Sequence, residues 1–195
     1  MTNRFSPDEE QILRKAVDVL KSGGLILYPT DTIWGLGCDA SREDAVEKLI
    51  RLKGKEEGQG LIVLLDDVNR VERYTRAVPA VAYDLMELSE KPLTLVLDEG
   101  MMVAPAVLGH ESTIAIRVTQ DPICRELVRR LRKPLVSTSA NLAGGPSPAC
   151  FADITDSLKS GVDYILPLRQ AEKKPPVAST VIRLKADGQI RILRK

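Results

Sequence analysis

Two stretches of this chain are apolar at every position: Leu25-Ile26-Leu27-Tyr28 and Leu61-Ile62-Val63-Leu64-Leu65. A strand points successive side chains to opposite faces. Such runs leave no face for water and must be covered on both sides. Amphipathic helices alternating with the strands supply the cover. Ser6-Pro7-Asp8-Glu9 opens the first, with Ser6 as cap, Pro7 at the first helical position and Glu9 completing a capping box. Ile12, Leu13, Ala16, Val17 and Leu20 recur at helical spacing, and Gly23-Gly24 stops the helix. A second helix starts at Ser41-Arg42-Glu43-Asp44 and turns Ala45, Val46, Leu49, Ile50 and Leu52 to one side. Further helices are expected over 68–75, 79–88, 121–132 and 151–159. Further strands are expected over 93–97, 113–118 and 135–137, and near Tyr164, Val181 and Ile190. The last two strands form a hairpin through Asp187-Gly188. The pattern predicts an α/β fold, a twisted mixed sheet of parallel and antiparallel strands with flanking helices. With 195 residues and no internal repeat, the expectation is a single domain over 1–195.

Composition narrows the function. Hydrophobic residues make up 44% and charged residues 28%, so a real core is available and long disorder is not expected. Aromatics are only 4%, too few for a platform that stacks many bases. The net charge of +1 creates no global field toward nucleic acid or an anionic membrane. Cys38, Cys124 and Cys150 are scattered without metal-ligand spacing and read as free thiols of a reducing compartment. The single histidine, His110, supports neither a metal site nor a catalytic relay. No signal peptide and no apolar run of spanning length is found, so a cytoplasmic protein without membrane contact is expected.

Four segments concentrate hydroxyls, amides, glycines and cations at strand ends, where open α/β sheets bind their ligands. The first is Tyr28-Pro29-Thr30-Asp31-Thr32-Ile33-Trp34-Gly35-Leu36-Gly37, either a small polar-ligand site or a capped turn. The second is Lys53-Gly54-Lys55, two cations that reach a phosphate or remain solvated. The third is Ser137-Thr138-Ser139-Ala140-Asn141 with Gly144-Gly145-Pro146-Ser147, a cradle for phosphate or ribose oxygens or a polar turn. It is no standard phosphate loop, since the Gly-Lys-Ser/Thr ending is missing. The fourth is Thr113-Ile114-Ala115-Ile116-Arg117, where alternation puts Thr113, Ala115 and Arg117 on one side. Arg117 suits a carboxylate or a phosphate, or a structural ion pair.

Taken in order, these segments resemble the YrdC-like family of threonylcarbamoyl-AMP synthases. Residues 28–40 resemble its Tyr-Pro-Thr-Glu-Thr-x-Tyr-Gly-Leu-Gly motif, 53–65 its Lys-x-Arg loop and strand, and 112–118 its Ser-Thr-(apolar)₃-Arg strand. Residues 137–147 resemble its Ser-x-Asn loop, 179–184 its Ser-Thr-Val-Ile strand, and 192–194 its closing segment. The resemblance implies a twisted α/β sheet with a concave basic cleft. It implies a nucleotidyltransferase that converts ATP, L-threonine and bicarbonate to threonylcarbamoyl-AMP and diphosphate, for N6-threonylcarbamoyladenosine at tRNA position 37. Carried over by position, Thr32, Arg117 and Ser179 would hold threonine. Lys55, Gln59, Thr113, Ser137, Ser139, Asn141, Ser147 and Arg194 would line the nucleotide side. Lys53, Lys55, Ser139 and Asn141 form the implied catalytic group. ATP enters as substrate, Mg²⁺ is expected with it, and no protein-ligated metal is implied. A tRNA threonylcarbamoyl transferase would act next.

The chain departs from the pattern in places. Lys55 replaces an Arg, exchanging a planar fork for a point charge. Asp31 and Trp34 replace Glu and Tyr, Gly60 stands where many members have Pro, and Leu64 where some have a His. The sequence ends just after Arg194, so the short, single-domain branch is expected. Two rivals stay open: a relative acting on a carbamoyl group without threonine, and a non-catalytic module with weak RNA binding that assists ribosome or tRNA maturation.

Overall fold

The computed structural model describes residues 5–54, 60–173 and 177–195. The helices are α1 (Pro7–Lys21), α2 (Glu43–Lys53), α3 (Ala80–Leu88), α4 (Pro122–Leu131) and α5 (Asp156–Gly161). The strands are β1 (Ile26–Tyr28), β2 (Gly35–Gly37), β3 (Ile62–Leu65), β4 (Leu93–Leu97) and β5 (Ile114–Val118). They continue with β6 (Leu135–Val136), β7 (Thr138–Ser139), β8 (Tyr164–Ile165), β9 (Thr180–Leu184) and β10 (Ile190–Arg194). Helix starts follow local chemistry. The Ser6 hydroxyl accepts from the Glu9 amide at 3.3 Å, and the Glu9 carboxylate accepts from the Ser6 amide at 2.8 Å. One Asp121 carboxylate oxygen caps α4 through the amides of Ile123 and Cys124, at 2.9 and 3.0 Å.

The strands are mixed in direction, as expected, but form two sheets. One runs β10-β9-β4-β5-β3-β6 and the other β7-β2-β1-β8. The β1/β8, β3/β5 and β4/β9 pairs are parallel, and the β9/β10 hairpin is antiparallel. The strand expected at 135–137 is β6, at the edge of the larger sheet, and a further short strand not expected from the sequence, β7, follows Ser137 at the edge of the smaller sheet. Segment 35–37, for which the sequence suggested no strand, is β2. Glycine has no side chain with which to announce a strand, and here its absence is the requirement. A Cβ on Gly37 would lie 2.5 Å from the Val136 carbonyl and 2.8 Å from the Tyr28 ring. The helix expected over 68–75 is a 3₁₀ segment, Val68–Arg73, started by Asp67 accepting from the Asn69 amide. The helix expected over 151–159 is a 3₁₀ turn at Phe151–Asp153 followed by α5.

The all-apolar runs separate two cores. Leu27, Val63, Leu65 and Val136 face one core, with α2 and α3. Ile26, Tyr28, Leu64 and Leu135 face the other, with α1 and α4. Adjacent residues of one strand thus stabilise different layers, each fully buried side chain contributing about 2 kcal/mol by area. Among the described residues, no helix is long and apolar enough to cross a membrane.

Candidate active site

Helix α4 packs on β3 and β6, and α1 packs on α4 and β1. That cover stops short of β5, β4 and β9. The uncovered part of the larger sheet is the floor of a cleft of about 960 Å³. Its floor carries Thr113, just before β5, Ala115 and Arg117 of β5, Val96 of β4, and Val181 and Arg183 of β9. Ile114 and Ile116 point to the opposite, fully buried side, as the alternation on this strand predicts. The segment between β1 and β2 supplies one wall through Thr32, Ile33 and Gly35. Ser137, Ser139 and Ser147 supply another, and β10 closes the cleft with Ile190, Leu193 and Arg194.

At one end, the buried guanidinium of Arg117 pairs with Asp31 and donates to the Thr32 hydroxyl at 3.2 Å. Thr30 gives its hydroxyl proton to the Ile33 carbonyl at 2.7 Å, so the Thr32 hydroxyl, 2.9 Å away, is the donor to Thr30. Nearby, Ser179 is held from both sides. Its hydroxyl lies 2.8 Å from that of Thr94, and Arg194 donates to its carbonyl at 3.1 and 3.0 Å and to its hydroxyl at 3.3 Å.

The Ser137–Asn141 loop is organised from beneath. Lys53 is buried, and its ammonium donates to the carbonyls of Ser139 and Asn141, both at 2.6 Å. The Ala143 amide donates to the Lys53 carbonyl at 2.9 Å. Lys53 and Asn141 therefore stand behind the loop, while Ser137, Ser139 and Ser147 face the cleft. The Asn141 amide donates to the Gly145 carbonyl, and its buried Oδ1 has no partner among the described residues. Lys55 and Gln59 lie outside the described residues. Leu64 is buried against α1 and α4.

Sequence reasoning passed over Arg183, Lys185 and Arg191 on the hairpin and Glu111, and gave His110 no role, yet all of them line the cleft. Alternation from Val181 was the available signal for Arg183. Its guanidinium donates to the Val96 carbonyl at 3.1 Å and pairs with Asp98, holding that carboxyl below the ordinary carboxylate range. Burial pushes the thiols of Cys38 and Cys124 upward, so neither is a thiolate nucleophile at neutral pH. Among the described residues, no group of three or more His, Cys, Asp or Glu side chains could hold a metal ion. The arrangement offers hydroxyls and guanidinium groups in one cleft, which suits binding and orienting an anionic substrate.

Comparison with known proteins places the sequence and the fold. The Sua5/YciO/YrdC family model, described as telomere recombination, matches residues 18–195. A protein of Stenotrophomonas maltophilia named threonylcarbamoyl-AMP synthase is 42% identical over 162 residues, covering 81% of this chain and 87% of its own. Another of that name from Hahella chejuensis is 38% identical over 156 residues, covering 80% and 85%. The structure of P. abyssi Sua5 complexed with L-threonine superposes with a TM-score of 0.87 at 28% identity, covering 98% of this chain and 55% of that one. This chain thus spans about half the length of that Sua5. With most of its residues matched by the family model, and relatives of such identity aligned over most of their own length, the chain belongs to the Sua5/YciO/YrdC family.

Proposed function

We propose that this chain is an enzyme, an L-threonylcarbamoyladenylate synthase that joins L-threonine, bicarbonate and ATP into threonylcarbamoyl-AMP and diphosphate. One observation carries the reading: Thr32, Arg117 and Ser179 share a single cleft with Thr113, Ser137, Ser139, Ser147 and Arg194. A volume of about 960 Å³ is at the large end for small-molecule sites and leaves room for an amino acid beside a nucleotide. The names of the relatives, and the L-threonine of the P. abyssi Sua5 structure, support the same chemistry.

In this reading the amine of threonine attacks the bicarbonate carbon, a C–O bond breaks, and a carbamate and water are formed. A carbamate oxygen then attacks the α-phosphorus, and diphosphate leaves. Arg117 takes the threonine carboxylate, and Thr32 and Ser179 orient the amino acid. Ser137, Ser139, Ser147, Thr113 and Arg194 hold the nucleotide, together with Lys55 and Gln59. Lys53 and Asn141 position the Ser139 loop. Among the described residues the lining has one carboxylate, Glu111, too few for a cage around Mg²⁺. The ion fits as a passenger on the triphosphate oxygens and water, where it would offset phosphate charge. The mixed anhydride hydrolyses readily, so a transferase that moves the threonylcarbamoyl group to tRNA would act next, and the reading places both steps in the cytoplasm.

The test is incubation of the purified protein with ATP, Mg²⁺, bicarbonate and L-threonine, with threonylcarbamoyl-AMP read by mass spectrometry. Threonine-dependent product is expected. Arg117→Lys, which loses the planar fork, is expected to raise the threonine KM about tenfold while leaving ATP binding intact. Folded, ATP-binding protein that yields no product, even with Lys55→Arg, would sink the proposal.

A further inference from the structure

Thr94 belongs to no motif, yet it sits beneath the cleft as a fully buried hydroxyl in a sheet core. Leu95 lies opposite Ile116, and Val96 opposite Ala115. The same antiparallel register brings Thr94 beside Arg117, on the face where Val96 lines the cleft. Its hydroxyl has one hydrogen-bond partner among the described residues, Ser179 at 2.8 Å.

The direction of that bond follows from counting protons. If Ser179 donated to Thr94, the Thr94 proton would be buried without an acceptor, which is costly. Thr94 is therefore the donor. Arg194 also donates to the Ser179 hydroxyl, at 3.3 Å. A serine oxygen has two lone pairs and one proton. Both lone pairs are taken, so the proton is left to turn into the cleft that Ser179 lines.

We infer that Thr94 is a positioning residue that commits Ser179 to act only as a hydrogen-bond donor, so that Ser179 and Arg117 together select an oxygen anion, the carboxylate of the amino-acid substrate. The inference rests on the proposed function for the identity of that substrate. It adds a specificity rule: the amino acid is recognised through its carboxylate at Ser179, and an analogue with an uncharged amide there is rejected. Without Thr94, Ser179 turns freely and offers a lone pair as readily as its proton.

The experiment measures steady-state kinetics and calorimetric binding for wild type, Thr94→Val and Thr94→Ser, with L-threonine and L-threoninamide. Thr94→Val keeps the shape and removes the hydroxyl. It is expected to raise the threonine KM and Kd about fivefold to tenfold, the loss of one oriented hydrogen bond. The preference for threonine over threoninamide should shrink by a similar factor, with kcat and the ATP KM within about twofold. Thr94→Ser should restore both. A loss of kcat without change in the threonine KM, or an unchanged preference for threonine over the amide, would overturn the assignment. If Thr94→Val does not fold, Thr94→Cys, a weak donor of similar size, is measured in its place, and an effect no larger than that of Thr94→Ser overturns it. Failure of the proposed function gives a different result: wild type itself neither binds L-threonine nor forms the adenylate.

Discussion

Glu126 pairs with two arginines of its own helix, and one of them, Arg130, carries the link to α1. It accepts from Arg129 at 2.8 and 2.5 Å and from Arg130 at 2.5 Å, and Arg130 reaches on to Glu10 of α1 at 2.6 Å. The hydrogen bond from Arg129, helped by Arg130, holds its pKa down to about 2, against a partial opposing effect of burial. A depressed carboxylate contributes its stability above the unfolded-state value near 4.5 and loses it as the pH falls toward 2. Arg129 is largely exposed, so the contribution is discounted to about 1–2 kcal/mol. Denaturant titration of Glu126→Gln should show that deficit at pH 7 and none at pH 2. A deficit that persists at pH 2 would mean that packing, not charge, is responsible. At Gly37 the constraint is steric. A methyl group there meets the Val136 carbonyl and the Tyr28 ring, and backbone cannot yield as a flexible side chain can. Gly37→Ala should cost about 3 kcal/mol in equilibrium unfolding, and an effect below 1 kcal/mol would show that the two layers part easily.

At the scale of elements, the end of α2 and the Ser137–Asn141 loop act as a unit. Lys53 belongs to the last turn of α2, where Gly54 takes the left-handed conformation that ends the helix. The ammonium therefore points away from the helix axis and satisfies two loop carbonyls instead of the helix's own. Lys53→Met keeps the apolar stem and removes both bonds. Each carbonyl left without a donor is expected to cost about 1–2 kcal/mol. Amide hydrogen exchange should then quicken across 139–145 while β3 and β5 stay protected. Uniform protection alongside lost activity would instead favour a direct role for Lys53 in the chemistry. The hairpin β9/β10 is joined to the sheet through Arg183 and Asp98, with Asp98 also accepting from the Ala186 amide at 2.8 Å. That anchorage fixes the wall carrying Ile190 and Leu193.

For the whole molecule, the two cores share β1, β3 and β6, whose alternate residues belong to different clusters. Neither core can be lost without stripping one face of the strands that support the other. We therefore propose that 1–195 unfolds as one cooperative domain. Calorimetry should give equal calorimetric and van't Hoff enthalpies, and two resolved transitions would contradict it.

Most of the element order, the cover on both sides of the apolar runs, and the cleft-facing set Thr113, Ala115 and Arg117 were legible in the sequence. Hydrophobic periodicity and capping are local signals that survive without tertiary context. The ordered motifs also pointed to Thr32, Ser137, Ser139, Ser147, Ser179 and Arg194, which share the cleft. What lay beyond the sequence was non-local. Gly35–Gly37 becomes a strand by pairing with β1 and β7, and at Gly37 a tyrosine ring and a carbonyl leave no room for a side chain. Residues 135–136 and 138–139 join different sheets because their pairing partners, in β3 and β2, lie far away in the chain. Lys53 looks like any surface lysine until two carbonyls 86 and 88 residues away close on it. Thr94 reads as an interruption of an apolar strand until Ser179, 85 residues away, supplies its partner. A sequence records the donors and acceptors a chain carries, and only the packed structure decides which of them meet, because burial forces each to find a partner or be lost.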